Sequence, residues 1–277
     1  MTLSLFQREL QVAVLGSGSG GNCTYIGDGV AGVLIDCGIS TKQVWARLEA
    51  VGLGAAPIDA VFITHEHSDH VGGARVLCQK LKKRSGRSVP FFMTRGTEGG
   101  LRDQTRPEAV ETIEPNTLLR VRHLEVEAFT IPHDTRDPVA YRVGAGGTWA
   151  GVITDLGKPT SLVREKLKSL SVAVLEFNHD VELLMEGSYP WALKQRIRSS
   201  HGHLSNDQAA ELLHDGLGEG LRHLVLAHLS EENNRPTKAM AAALRALADR
   251  GATGQATVTA ASQDAPHRVA PVRVHDW

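Results

Sequence analysis

No stretch of about 18 consecutive apolar residues occurs in the 277-residue chain, so the sequence offers no candidate for a membrane-spanning helix. The opening MTLSLFQREL has neither the basic start nor the long apolar stretch of a secretory signal. Cysteine is scarce: Cys23, Cys37 and Cys78 cannot make a disulfide framework and form no CxxC pair, so reduced thiols in the cytoplasm are expected. An excess of either charge is missing too. Thirty basic and 31 acidic residues give a net charge of −1, and a nucleic-acid partner cannot be argued from global charge. Low-complexity segments, 20–50-residue repeats and domain-separating linkers are absent. With 42% hydrophobic and 22% charged residues, the composition excludes a disordered or collagenous chain. Histidine is plentiful instead, 13 residues against three tyrosines, and its placement directs the search for function.

Apolar runs between turns predict strands over Gln11–Leu15, Gly32–Ile35, Ala60–Thr64, Val126–Ile131, Thr148–Thr154, Val172–Phe177, His223–Ala227 and Gln255–Ala261. Helical spacing covers Thr41–Val51, Ser161–Leu170, Tyr189–Arg198, Asn206–Leu217 and Lys238–Arg250. Another helix follows Ser68, its expected cap, with Val71, Ala74, Leu77, Cys78 and Leu81 on the apolar face. The Pro-containing tail to Trp277 has weak periodicity. A single α/β domain of stacked layers over residues 1–277, with its core at about 11–265, is the expected organisation.

Four of the apolar runs end on potential metal ligands. AVFIT leads to His65, His67, Asp69 and His70; EAFTIP to His133 and Asp134; AGVIT to Asp155; LVLA to His228. Strands of a layered α/β domain end at a common edge and their loops converge. A mixed nitrogen and oxygen donor set there suits zinc, manganese or iron better than calcium or magnesium. In an extended loop His65 and His67 point the same way and Glu66 points away. Four donors in six residues exceed what one tetrahedral ion usually takes from a single loop, which favours two ions. His65 and His67 would serve one and Asp69 and His70 the other, with His133 and His228 completing the sets and Asp155 able to bridge.

The segment His65-Glu66-His67-Ser68-Asp69-His70 matches the HxHxDH signature of the metallo-β-lactamase fold superfamily, which this chain resembles. His133, Asp155 and His228 match that superfamily's later ligands, and Asp36 its early aspartate after a strand. The ordered motifs GSGSGGNCTYI, LIDCG, IPHDTRDPVAYRV, VITDLG, LEFNHD, YPWALKQRIRSSHGHLSN and LAHLSEENNRP resemble the YycJ/VicX (WalJ) branch over roughly residues 11–265. The resemblance implies a four-layer αββα sandwich with two divalent ions, Mn²⁺ or Zn²⁺, at one sheet edge. It also implies a 5′→3′ DNA exonuclease, with a hydroxide bridging the ions as nucleophile, DNA as substrate and no membrane partner. Such ions, roughly 3.5–4 Å apart, lower the pKa of a shared water to near neutrality and clamp the entering and leaving oxygens. Asp69 counts among the catalytic residues, and Asp36 is expected to orient a ligand histidine.

Each assignment has a plainer competitor. Asp69 would complement a helix dipole, and Asp36 would be an ordinary strand-end turn residue. His133, Asp155 and His228 are weak singly and strong through their shared placement. Related nucleases place a proton-donating histidine in a late loop, which makes His203 and His179 candidates for that role; capping of the next helix by Ser205 or Asn206 competes. His123, His201, His214, His223, His267 and His275 are expected at the surface or in packing. The glycine-rich loop Gly16–Asn22 could present backbone N–H groups and the Ser17, Ser19 and Asn22 side chains to a phosphate, or form only a tight turn. The basic clusters Lys80–Arg87 and Lys194–Arg198 could follow a nucleic-acid backbone, but such clusters are more often solvated helix faces. Two rival functions remain: a small-molecule hydrolase for a lactone, thioester or cyclic nucleotide, and a non-catalytic metal-binding protein.

Overall fold

The computed structural model describes residues 8–274, so His275 and the outermost residues of the opening segment and tail lie outside it. The first sheet is built from β1 (Glu9–Gly16), β2 (Cys23–Gly27), β3 (Gly32–Ile35), β4 (Ala60–Phe62), β5 (Phe91–Thr94) and β6 (Val110–Ile113), adjacent in that order. The second contains β7 (Leu118–Val121), β8 (Leu124–Thr130), β9 (Val139–Ala145), β10 (Thr148–Ile153), β11 (Val172–Glu176), β12 (His223–Ala227) and β13 (Thr257–Ala260), also in chain order. The tail returns to the first sheet: β14 (His267–Arg268) and β15 (Val272–Arg273) both pair antiparallel with β1. Weak periodicity there reflects two-residue strands, too short to show alternation.

Period-two alternation decides which residues face which layer. On β3, Val33 and Ile35 point between the sheets, where they meet Val126, Tyr141, Val152 and Val174. Leu34 points the other way, toward α1 (Thr41–Ala50) and the helical pair α2 (Ser68–Val71) and α3 (Ala74–Ser85). On β11, Val172 and Val174 face the inter-sheet core, while Ala173 and Leu175 face outward. After α4 (Arg95–Gly100), the outer layer of the second sheet comprises α5 (Ser161–Lys168), α8 (Asn206–Gly216) and α9 (Pro236–Asp249), with α6 (Val181–Glu186) and α7 (Trp191–Ile197) in the connection after β11. Helix–sheet–sheet–helix is the expected αββα order.

Ser68 does not cap. His67 holds the extended N-cap position and Ser68 is already the first helical residue. The single helix expected there is two, parted at Gly72-Gly73, where a Cβ on Gly73 would come within 2.3 Å of the Ile39 carbonyl oxygen. Farther on, Ser205 does cap α8, with Gln208 completing a capping box.

Candidate metal centre

Strand direction gathers the site. β3 and β4 run parallel, as do β10, β11 and β12, and β8 shares the direction of β10 through the antiparallel β9. Their carboxyl ends deliver Asp36, the Thr64–His70 loop, His133, Asp155, Glu176 and His228 to one edge. Asp36, Asp155 and His228 leave their strands in the left-handed region, with φ of 61°, 58° and 54°. That conformation costs a non-glycine residue roughly 1–2 kcal/mol and concentrates at functional sites. The backbone around the histidine-rich loop is interlocked. Asn22 N–H donates to the Asp69 carbonyl at 2.7 Å, and Cys37 N–H to that of His70 at 2.9 Å. Only glycine fits at position 38, since a Cβ there would overlap the Asp69 carbonyl at 1.6 Å.

Donor atoms of His65, His67 and His133 lie within 4.8 Å of one another, and those of Asp69, His70 and His228 make a second group. Asp155 touches both sets. Its Oδ1 is 3.8 Å from His133 Nε2 and 3.6 Å from His228 Nε2, and its Oδ2 is 3.2 Å from His70 Nε2. The other ring nitrogen of each buried histidine in these groups has a protein partner. Asp36 Oδ2 meets His70 Nδ1 at 2.8 Å, the Gly202 carbonyl accepts from His133 Nδ1 at 3.1 Å, and Thr64 Oγ1 lies 2.9 Å from His65 Nδ1. Asp36 Oδ1 is itself fixed by Thr64 N–H at 2.8 Å. By contrast His65, His133 and His228 Nε2 are buried with no hydrogen-bond partner among the described residues. An orphaned buried polar atom costs about 1–3 kcal/mol, so three facing one space mark a site built for something the protein does not supply.

The field explains what fits. Burial works against protonating His228, but Asp155, then Asp69 and Glu176, outweigh it and push its pKa up to about 10. Burial likewise opposes a charge on His70, and Asp155, Asp36 and Asp69 overcome it. Burial would raise Asp155, yet His228, His70 and His65 hold it well below the usual carboxylate range. Without metal, protons on imidazole meet the demand of these carboxylates for positive charge. A divalent cation meets it through the same nitrogens, and the donor mix suits a borderline transition ion.

The remaining expected residues separate. His203 joins the cluster: its Nδ1 is 2.8 Å from Glu176 Oε1 and its ring centroid 5.2 Å from that of His228. Its backbone is set by an N–H bond to the Ile197 carbonyl. His179 does not join. It is buried, its Nδ1 has no partner among the described residues, and burial lowers its pKa to about 4. Ser17 Oγ accepts from His228 N–H at 2.8 Å, and Asn22 is bonded to Gly18 and Asp69. Only Ser19 stands open, in a cleft of about 280 Å³ with His67, Asp69, Arg196, His203 and His228. The loop amides at 17, 18, 20, 21 and 22 all bond protein acceptors, so this turn is no free phosphate nest.

One carboxylate escaped the sequence reading, and a second was named there without a role of its own. Glu176 is fully buried and accepts from His203 Nδ1 and Leu156 N–H. Its only signal was an acid closing the apolar run VAVL. Asp134, singled out only as a run-end neighbour of His133, holds Arg196 Nε at 2.5 Å while its Oδ1 lies 3.5 Å from His133 Nε2. The basic clusters also differ. Arg196 stands at the cleft, whereas Lys80–Arg87 closes the far end of α3, about 18 Å of helix from its start near the site.

Comparison with known proteins agrees with this geometry. A family model of the beta-lactamase superfamily domain matches residues 32–229. The chain is 32% identical over 247 residues to exodeoxyribonuclease YycJ of Bacillus anthracis, covering 87% of this chain and 90% of that one. Against exodeoxyribonuclease WalJ of Streptococcus pneumoniae it is 34% identical over 224 residues, with 80% and 82% covered. The crystal structure of the metallo-β-lactamase fold protein YhfI from Bacillus subtilis superposes with a TM-score of 0.67 at 15% identity, covering 94% and 100%. No helix among the described residues is long and apolar enough to cross a membrane. The chain belongs to the beta-lactamase superfamily and is a metallo-β-lactamase-fold hydrolase.

Proposed function

We propose that this hydrolase is a dinuclear phosphodiesterase acting on DNA as a 5′→3′ exonuclease, with Mn²⁺ or Zn²⁺ as its ions. The observation that carries the two-ion reading is the pair of donor groups joined through Asp155. The names of its relatives supply DNA as substrate class. His65, His67 and His133 would hold one ion, Asp69, His70 and His228 the other, with Asp155 between them. Bound there, divalent ions supply Lewis acidity and bring the pKa of coordinated water near neutrality.

The protein's own share is orientation and proton handling. Asp36 accepts a hydrogen bond from His70 Nδ1–H and so presents Nε2 to the cleft, and the Gly202 carbonyl does the same for His133. Glu176 accepts from His203 Nδ1, which leaves the opposite nitrogen for delivering a proton to a departing oxygen. A cytoplasmic location accords with three free, buried cysteines.

The test is a substrate panel with Mn²⁺- or Zn²⁺-loaded protein: 5′-phosphorylated duplex and single-stranded DNA, RNA and a lactone. Stepwise release of nucleotides from the 5′ end of DNA, weakening steeply with salt, is expected. Turnover of the lactone with DNA left intact would overturn the proposal.

A further inference from the structure

Beside the donor atoms the cleft opens into a second lobe of about 170 Å³. It shares Arg196, His203 and His228 with the first and is walled by Tyr189, Leu193, Ile197 and Leu229. Leu193, Arg196 and Ile197 stand at i, i+3 and i+4 on one face of α7. The other face is anchored: buried Lys194 Nζ donates to the Met185 and Gly187 carbonyls at 2.7 Å each. Arg196 is aimed by its Nε bond to Asp134, and its two terminal nitrogens have no protein partner among the described residues. A rigid aromatic and aliphatic wall thus adjoins the reacting edge, with one guanidinium at the junction.

We infer that this lobe receives a single unstacked nucleoside of the strand being cut, its base against Tyr189 and the aliphatic wall. Arg196 holds the phosphate that links this nucleoside to the next. The inference rests on the nuclease reading and names how that site takes its substrate. The Asn178 carboxamide N–H is committed to the His228 carbonyl and Ser230 Oγ accepts from Asn233 N–H, so the lobe grips a base chiefly through the ring and the aliphatic wall. Stacking on a ring tolerates every base. A duplex end must fray to enter, so unpaired or mismatched ends are better substrates than paired ones.

The experiment compares kcat and KM on oligonucleotides whose terminal nucleotide is normal or abasic, for the metal-loaded wild type, Tyr189→Ala and Tyr189→Phe. A second readout is the stopped-flow quenching of a terminal 2-aminopurine before cleavage. For the wild type, removing the base raises KM roughly ten-fold. Tyr189→Ala raises KM similarly on the normal strand, adds nothing on the abasic one and loses the quench, while Tyr189→Phe keeps all three properties. Equal KM with and without the base, or an equal Tyr189→Ala effect on both strands, overturns the lobe and leaves the nuclease standing. A wild type that degrades none of these strands overturns the nuclease reading and the lobe with it.

Discussion

The donor edge and the opposite end of the first sheet use the same materials and finish differently. At the far end Asp59, its side chain 4% exposed, receives Arg87 at 2.6 Å and Arg122 at 2.9 Å on one oxygen and Gly32 N–H at 3.2 Å on the other. Asp28 there accepts from Val30 and Ala31 N–H and meets His123 Nε2 at 2.5 Å. Each of these carboxylate oxygens has a partner, so neither acid has valence left to offer. At the donor edge Asp36 is equally saturated, but the histidines beyond it turn unpartnered nitrogens toward a shared space. Buried charge alone therefore does not mark a site; unfilled valence facing a cleft does.

The contrast can be broken by substitution. Asp155→Ala removes the carboxylate common to both donor groups and should abolish turnover and metal retention while the fold persists, checked by activity, elemental analysis and circular dichroism. Asp36→Asn leaves the donor atoms in place but loosens His70, so metal affinity should fall roughly 10–100-fold in a competition titration. At the far end, Asp59→Ala should cost about 1–3 kcal/mol in denaturant unfolding. That lies below the loss for a fully buried pair, because both guanidiniums are half exposed. Specific activity of the folded Asp59→Ala protein should match wild type; a large activity loss would show that the two ends are coupled. The smallest effect belongs to Lys82→Gln/Lys83→Gln/Arg84→Gln. The salt dependence of DNA binding should not change, whereas Arg196→Gln should flatten the slope by about one.

The layers and most positions of the donor cluster were legible because each rests on a local signal: a β-branched run, a turn, then a histidine or an aspartate. Asp36 could be placed beside a histidine only through family likeness, since its partner His70 lies 34 residues away. Glu176 stayed hidden because a buried acid at a strand end looks like any edge residue until His203 arrives from another loop. Ser17 and Asn22 were hard to read for the opposite reason. A glycine-rich turn advertises free amides and hydroxyls, and only the fold shows them already bonded to Ser262, Asp69 and the His228 backbone. Strands β5, β6, β7 and β9 were not anticipated, being short or interrupted by polar residues such as Arg142. The far placement of Lys80–Arg87 is likewise a property of helix length and direction, invisible in charge patterning alone.

Counting bound ions tests the central claim most directly. Equilibrium dialysis against Mn²⁺ or Zn²⁺, followed by elemental analysis, should give two ions per chain for the wild type. His67→Ala and Asp69→Ala, each removing a donor from a different group, should give one apiece. A single ion in the wild type, or two retained in both variants, would contradict the account.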